Sequence, residues 1–318
     1  MSNDREKILE ELELARKSND TEDPIDRLFN DPLGMVWTNL CIKAHASANA
    51  VTFISTFFGI IGGALFAPRN LLINLLGILL FTFSCILDST DGQIARLTHT
   101  SSKLGRALDG ISDGIRLAAA YLAIGVRLMG DNIPFTDRPW GLLIWPILLL
   151  TGAWINMGQN QLADYYRNAH LFFLRGAEHS EFGHTELILA ERRALPQNAP
   201  LWEKCYLSSL LGWTRRQEKA SPRIHRLMDL LQGESDVDPA LRKAFVEKSL
   251  PYIQLTNVLT TNIRLIVLYV LVLVGQPFWF LPFTFLIMEL IKGFMRRTYE
   301  GIAEELTLSF FPQENDKQ

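Results

Sequence analysis

The sequence predicts an all-α, polytopic membrane protein with six transmembrane helices and a helical insert outside the membrane. Three observations carry that reading. Residues 44–68, 71–87, 139–163 and 265–288 of the 318-residue chain contain no Asp, Glu, Lys or Arg. Runs of this length suit a bilayer core of about 30 Å, which a helix crosses with roughly 20 residues at about 1.5 Å each. The mean hydropathy is nevertheless only +0.11, because the first 30 residues and the stretch from about 165 to 250 are highly charged and offset the apolar runs.

Taken in order, residues 1–43 form a cytoplasmic N-terminal and interfacial segment. It opens with MSNDREKILEELELARK, a charged helix with no apolar region behind a basic start, so no cleavable signal peptide is expected. An interfacial stretch follows at 32–43. Residues 44–164 hold the first four spans, near 47–67, 70–94, 106–128 and 140–163. Residues 165–252 form a cytoplasmic insert of mixed charge and helical periodicity, interrupted by Pro196, Pro200 and Pro222. Residues 253–298 hold the last two spans, near 253–274 and 278–296, separated by the breaker Gly275-Gln276-Pro277. Residues 299–318 are a cytoplasmic tail.

Charge distribution orients the spans. The connections at 68–70 and 129–139 carry one arginine each and the 275–278 turn none, whereas the opposite face holds Lys43, Arg96, Lys103, Arg106, Arg167, Arg175, Lys292, Arg296 and Arg297. Basic residues concentrate on the cytoplasmic side, which places both ends and the insert there. A net charge of −3 argues against nucleic acid as a partner. Cys41, Cys85 and Cys205 have neither pairing nor metal-ligand spacing.

The informative stretch is DSTDGQIARLTHTSSKLGRALDGISD at residues 88–113, directly behind the second apolar run. Asp88 and Asp91 are three residues apart, Asp109 and Asp113 four apart, so each pair shares a helix face. With 97–104 as the turn between antiparallel helices, both pairs converge at one end of the bundle. Four carboxylates near a low-dielectric interior call for cations, and Mg²⁺ is usually held by a few carboxylates together with substrate phosphates. The small residues Gly92, Ala95 and Gly105 let a ligand approach the helix backbones, while Arg96, Lys103 and Arg106 bring positive charge toward phosphate.

Written as D-x2-D-G-x2-A-R-x8-G-x3-D-x3-D, the run matches eight defined positions across 26 residues: Asp88, Asp91, Gly92, Ala95, Arg96, Gly105, Asp109 and Asp113. In these residues the chain resembles the CDP-alcohol phosphotransferase family, over roughly 45–165 and 253–298. Asn49-Ala-Val-Thr52 is similar to the family's Asn-x-x-Thr, although Ala48 stands where a proline often precedes it. The resemblance implies a membrane enzyme of phospholipid synthesis in which an alcohol displaces CMP from a CDP-linked substrate. It implies that Asp88, Asp91 and Asp109 hold one or two divalent ions, Mg²⁺ or Mn²⁺. Asp113 would be the general base and a further metal ligand, and Asn49, Thr52, Asp88, Gly92, Ala95, Arg96 and Gly105 would receive the nucleotide, with Arg96 instead able to orient the carboxylates. The favoured donor is CDP-diacylglycerol, with an acceptor of the inositol phosphate, inositol, glycerol phosphate or serine class. CDP-choline or CDP-ethanolamine with a lipid alcohol is the alternative.

Lys103, Arg106, Arg116, Arg167 and Arg264 are candidates for acceptor or phosphate contacts; for Arg116 and Arg264 an ion pair with an aspartate competes with that role, and His170 accompanies Arg167 as a candidate. Glu289 and Lys292 are spaced to pair with each other. The spacing of His179 and His184 matches no common zinc site. Family members are often homodimers, and the small residues Gly114, Ala118, Ala119, Ala120 and Gly125 permit close helix packing. An intramembrane prenyltransferase would not need the Gly-x2-Ala-Arg spacing, and a cation transporter would spread its acids over several spans near mid-membrane. The expected setting is a bacterial inner membrane or an organelle membrane.

Overall fold

Side-chain caps set where the first helices begin. Ser47 accepts from the Ala50 N–H at 3.3 Å and opens α2 (Ala48–Ala64). Asn70 accepts from the Ile73 N–H at 3.1 Å and opens α3 (Leu71–Leu97), and Ser102 accepts from the Gly105 N–H at 3.0 Å at the start of α4 (Lys103–Met129). Each supplies an acceptor to a donor that the first helical turn leaves unpaired. Upstream lies α1 (Asp31–Lys43), with Pro32 in its first turn and a π turn, Asp26–Asn30, before it. The remaining helices are α5 (Gly141–Arg175), α6 (Thr185–Ala194), α7 (Leu201–Ala220), α8 (Pro222–Leu230), α9 (Pro239–Leu259), α10 (Thr261–Leu273) and α11 (Pro277–Phe310). This computed structural model describes residues 20–177, 180, 182–232 and 237–312, and no strand occurs among them. The charged helix expected before residue 20, and His179, lie outside the described residues.

The chain divides into two units. The first comprises the described residues up to Ile155 together with Arg264–Phe285. There α2 packs on α3 and α4 at glycine positions: a Cβ on Gly62 would stand 2.6 Å from the Phe81 nitrogen, and one on Gly63 would stand 2.9 Å from the Ala120 nitrogen. Small residues at such crossings let backbones approach closely. Phe66, Phe81, Ile124, Leu128, Leu268 and Phe280 fill the core. Buried Arg127 donates to Asn74 Oδ1 at 3.0 Å and to the Phe66 carbonyl at 3.3 Å.

The second unit comprises Asn156–Ile263 and the chain from Leu286 onward. Tyr166 stacks on Tyr299 at 4.1 Å and Phe173 on Phe245 at 4.0 Å. Glu300 receives Ser221 Oγ at 2.5 Å, the Arg223 N–H at 3.0 Å and the Ile224 N–H at 3.3 Å, satisfying the first donors of α8. Pro196, Pro200 and Pro222 fall between helices or at their first positions, as the insert's sequence predicts.

Among the described residues three helices, α3, α5 and α11, are long and apolar enough to cross a membrane, and α9 with α10 makes a fourth candidate bent by 45°. The span expected at 253–274 is interrupted at Thr260, because Thr256 and Thr260 hydroxyls donate to the carbonyls of Ile253 and Asn257 at 2.5 and 2.7 Å and compete with the helical ladder. Two helices exceed their expected lengths. α5 continues to Arg175, where Gly176 at φ +95° ends it, and α11 continues through Phe310, into the stretch expected as tail, since Gly and Pro breakers are too sparse to stop it.

Candidate active site

The carboxylates sit on the last turns of α3 and the first turns of α4, joined by the short 98–102 connection. Asp88, Asp91 and Asp109 each present an oxygen within 4.8 Å of the others. Asp91 is buried, and its Oδ2 accepts from Thr52 Oγ1 at 2.5 Å. Thr52 in turn sits one helical turn after Ala48, whose carbonyl it also approaches at 3.1 Å. Asn49, on the same end of α2, faces Gly105: a Cβ there would lie 3.7 Å from Asn49 Oδ1. The Asn-x-x-Thr residues thus meet the aspartate motif through α2.

Asp113 takes a different partner. Its carboxylate pairs with the Arg116 guanidinium, which also reaches Asp88 at 2.6 Å. Arg116 is buried, 4% exposed, and its Nη1 donates to Ser84 Oγ at 3.1 Å and lies 3.3 Å from Ser55 Oγ. Its stem passes directly over Gly59, where a Cβ would lie 2.5 Å from the Arg116 Cγ and Cδ. Of the two roles open to Arg116 in the sequence, the structure displays the ion pair.

Gly92 lies under the Arg96 guanidinium, 3.2 Å from where its Cβ would be, and negative charge from Asp31, Glu22, Asp91 and Asp109 surrounds Arg96. Lys103 and Arg106 are exposed on the first turn of α4, and Ala95 lies near the end of α3. Arg264 is buried on α10, 1% exposed. In the second unit, Arg167 donates to Thr256 Oγ1 at 3.0 Å and pairs with Asn257, while buried His170 meets Ser249 Oγ at 2.8 Å. Lys292 pairs with Glu289 at 2.7 Å. Of the small residues singled out for packing, Ala119, Ala120 and Gly125 are engaged within the chain, against Gly63 and against Trp145 and Leu148; a Cβ on Gly114 would meet nothing.

Sequence reasoning missed the role of α1. Thr38 donates to Gln93 Oε1 at 2.8 Å, Thr90 Oγ1 donates to the Gly34 carbonyl at 3.2 Å, Gln93 Nε2 donates to the Asp31 carbonyl at 3.1 Å, and Ser89 donates to the Asp31 carboxylate. These bonds brace the motif helix beside Asp88 and Asp91. The signal was available: Ser89, Thr90 and Gln93 are polar on a helix otherwise suited to lipid. Missed too was the Thr56–Ser112 hydroxyl pair at 2.6 Å, which ties α2 to α4 between Asp109 and Asp113.

The donor set is all oxygen, three carboxylates converge, and the Arg116 guanidinium pairs with Asp88. That chemistry fits a hard divalent ion, which Asp88, Asp91 and Asp109 could hold. Comparison with curated protein sequences gives no match. Comparison with protein families does: residues 45–163 match the CDP-alcohol phosphatidyltransferase family. That match spans α2, α3 and α4 with their carboxylates, so this part of the chain is similar to CDP-alcohol phosphatidyltransferase domains, a family of membrane phosphotransferases that transfer a substituted phosphate from a CDP-alcohol to an acceptor alcohol.

Proposed function

We propose that the chain transfers a phosphatidyl group from CDP-diacylglycerol to the hydroxyl of a small polar acceptor of the inositol phosphate, inositol, glycerol phosphate or serine class. The observation that supports this best is the convergence of Asp88, Asp91 and Asp109 with Thr52 on Asp91 and Arg116 on Asp88. The acceptor oxygen attacks the phosphorus that carries the lipid, its proton passes to Asp113, and the bond to the CMP oxygen breaks so that CMP departs with the electron pair. Bound Mg²⁺ or Mn²⁺ at Asp88, Asp91 and Asp109 would supply neutralisation of the diphosphate charge. Arg116 acts by positioning: it holds Asp88 and Asp113 in register. Asn49, Thr52, Gly92, Ala95, Arg96 and Gly105 receive the nucleotide. Lys103 and Arg106 supply positive charge at the mouth of the site, and the site opens to the cytoplasm, on the side favoured by the Lys and Arg count. Residues 165–252 form the cytoplasmic insert.

We also read the chain as a homodimer through its membrane helices. α4 exposes Ile111, Ile115, Leu122 and Val126 beside the open Gly114, which supports a close apolar contact there. Gly114→Leu then converts the dimer to a monomer in light-scattering measurements in detergent, and an unchanged mass refutes the contact.

The function test measures CMP release by the full chain in detergent with Mg²⁺. CDP-diacylglycerol, CDP-choline and CDP-ethanolamine are each offered with polar and lipid alcohols. Release from CDP-diacylglycerol that depends on a polar acceptor is expected, with Asp113→Asn inactive and a chelator abolishing turnover until Mg²⁺ or Mn²⁺ is restored. Release only from CDP-choline or CDP-ethanolamine with a lipid alcohol would replace this donor assignment by the alternative one.

A further inference from the structure

The second unit holds another group of ligating side chains, on helices that the phosphotransferase motif does not use. His225 and Asp229 occupy one face of α8, four residues apart, while Ile224, Leu227 and Met228 are buried on the other. His184 is the residue immediately before α6. Its Nδ1 lies 3.3 Å from Asp229 Oδ1, and His225 Nε2 lies 3.3 Å from Asp229 Oδ2. One donor atom from each of the three residues lies within 4.8 Å of the other two. Glu218 Oε2, from the end of α7, stands 4.0 Å from His225 Nε2.

We propose that His184, His225 and Asp229, with Glu218 beside them, form a binding site for a zinc-class divalent transition metal that pins α6, α7 and α8 together. The two 3.3 Å contacts of the Asp229 carboxylate with the imidazoles match the separation of donors in a coordination sphere, since ligands bound tetrahedrally at about 2.0–2.1 Å stand about 3.3 Å apart. Two imidazoles with carboxylates select zinc and its neighbours over Mg²⁺ and Ca²⁺, which take oxygen. Two neutral histidines and two carboxylates carry the charge that one dication balances.

The surroundings hold the donors in place. The Thr185 N–H and hydroxyl donate to Glu218 at 2.8 and 2.6 Å, so the residue next to His184 fixes the second carboxylate. Such outer contacts orient ligands in metal sites. Phe182 packs edge-on against the His184 ring at 5.4 Å. Ile188, Leu207 and Leu211 clamp α6 on α7, and Glu300 fixes the start of α8 one turn before His225. His184 Nδ1 is buried and makes no hydrogen bond of good geometry, which suits a lone pair meant for a metal. Sequence spacing concealed the group, since 40 residues separate His184 from His225 and only the packing of α8 against the α6 entrance brings them together.

The test uses the full chain in detergent, stripped with a chelator and returned to excess Mg²⁺ so that the aspartate cluster is occupied. Zn²⁺ is then titrated against a chromophoric chelator. One equivalent of Zn²⁺ per chain is expected, with stoichiometric uptake lost in His225→Ala and in Asp229→Ala, and with affinity about 10- to 100-fold weaker in Thr185→Ala. No uptake by the wild-type chain, or equal uptake in His225→Ala, overturns the proposal and leaves two imidazole–carboxylate ion pairs. Should the variants fail to fold, X-ray absorption of the zinc-loaded wild-type chain decides: imidazole scattering from two histidines supports the site, and an all-oxygen shell overturns it.

Discussion

Arg116 has two carboxylate partners, Asp88 and Asp113, and two serines from different helices. Removing one member of a buried ion pair typically costs about 3–5 kcal/mol, because the remaining charge stays desolvated. Arg116→Ala should therefore lower stability by an amount toward the lower end of that range, since Asp88 is a quarter exposed, and the loss should shrink when Mg²⁺ is added. Thermal unfolding in detergent with and without Mg²⁺ checks both; a deficit indifferent to Mg²⁺ would mean that Asp88 does not share its charge with a metal. Thr52→Val tests the opposite partner. It deletes the 2.5 Å bond to Asp91 while preserving shape, and a lost contact of this kind costs about 10- to 100-fold in metal affinity or activity, read from the Mg²⁺ dependence of CMP release. The eight motif positions, the Asn-x-x-Thr and the Glu289–Lys292 pair were legible in the sequence because they are local patterns. The serine partners of Arg116 were not, since Ser55 and Ser84 arrive from other helices.

At the scale of elements, α2 presents glycines at its crossings, and the site depends on one of them. A methyl on Gly59 would lie 2.5 Å from the Arg116 stem. Overpacking of a close contact costs about 1–3 kcal/mol, and here the displaced chain is the one that holds Asp88 and Asp113. Gly59→Ala is thus expected to reduce turnover more than stability, while Gly293→Ala on α11, with nothing within 4 Å of its Cβ, should change stability by no more than about 1 kcal/mol. Equal turnover in the two variants would sever the link between the crossing and the site. The helices themselves were readable from apolar runs and from Ser47, Asn70 and Ser102 as caps. What periodicity could not supply was the π turns at Leu150–Ile155 and Phe283–Ile287, the break at Thr260 and the bracing of α3 by α1, all of which arise from side chains competing for backbone groups or from tertiary contacts.

At the scale of the molecule, length and composition identify, among the described residues, three helices able to span a membrane and a bent fourth candidate, whereas the sequence argues for six. The difference lies in how each helix treats its polar residues. α2 is apolar but only 17 residues long, about 26 Å at 1.5 Å per residue, slightly short of a hydrocarbon core of about 30 Å. α4 is long enough at 27 residues but carries Asp109, Asp113, Arg116 and Arg127. Two of those charges are turned inward: Arg116 meets Asp88 and Asp113, and Arg127 meets Asn74 Oδ1, the Phe66 carbonyl and, at 3.4 Å, the Val272 carbonyl. Ionisable groups within a membrane are tolerated when they face the bundle and are paired, and the outer face of α4 exposes the apolar Ile111, Ile115, Leu122 and Val126. Average hydropathy misses such a helix because it counts charges without asking where they point. The proposed topology then places the α3–α4 connection on the cytoplasmic face and the 130–140 connection on the other. With Cys41, Cys85 and Cys205 replaced by serine, a single cysteine at Thr100 should be labelled by a membrane-impermeant maleimide only after the cytoplasmic side is opened, and one at Thr136 should be labelled before. Labelling of both positions from the same side would mean that α4 does not cross, leaving the carboxylates of a re-entrant helix pair in place of a six-helix bundle.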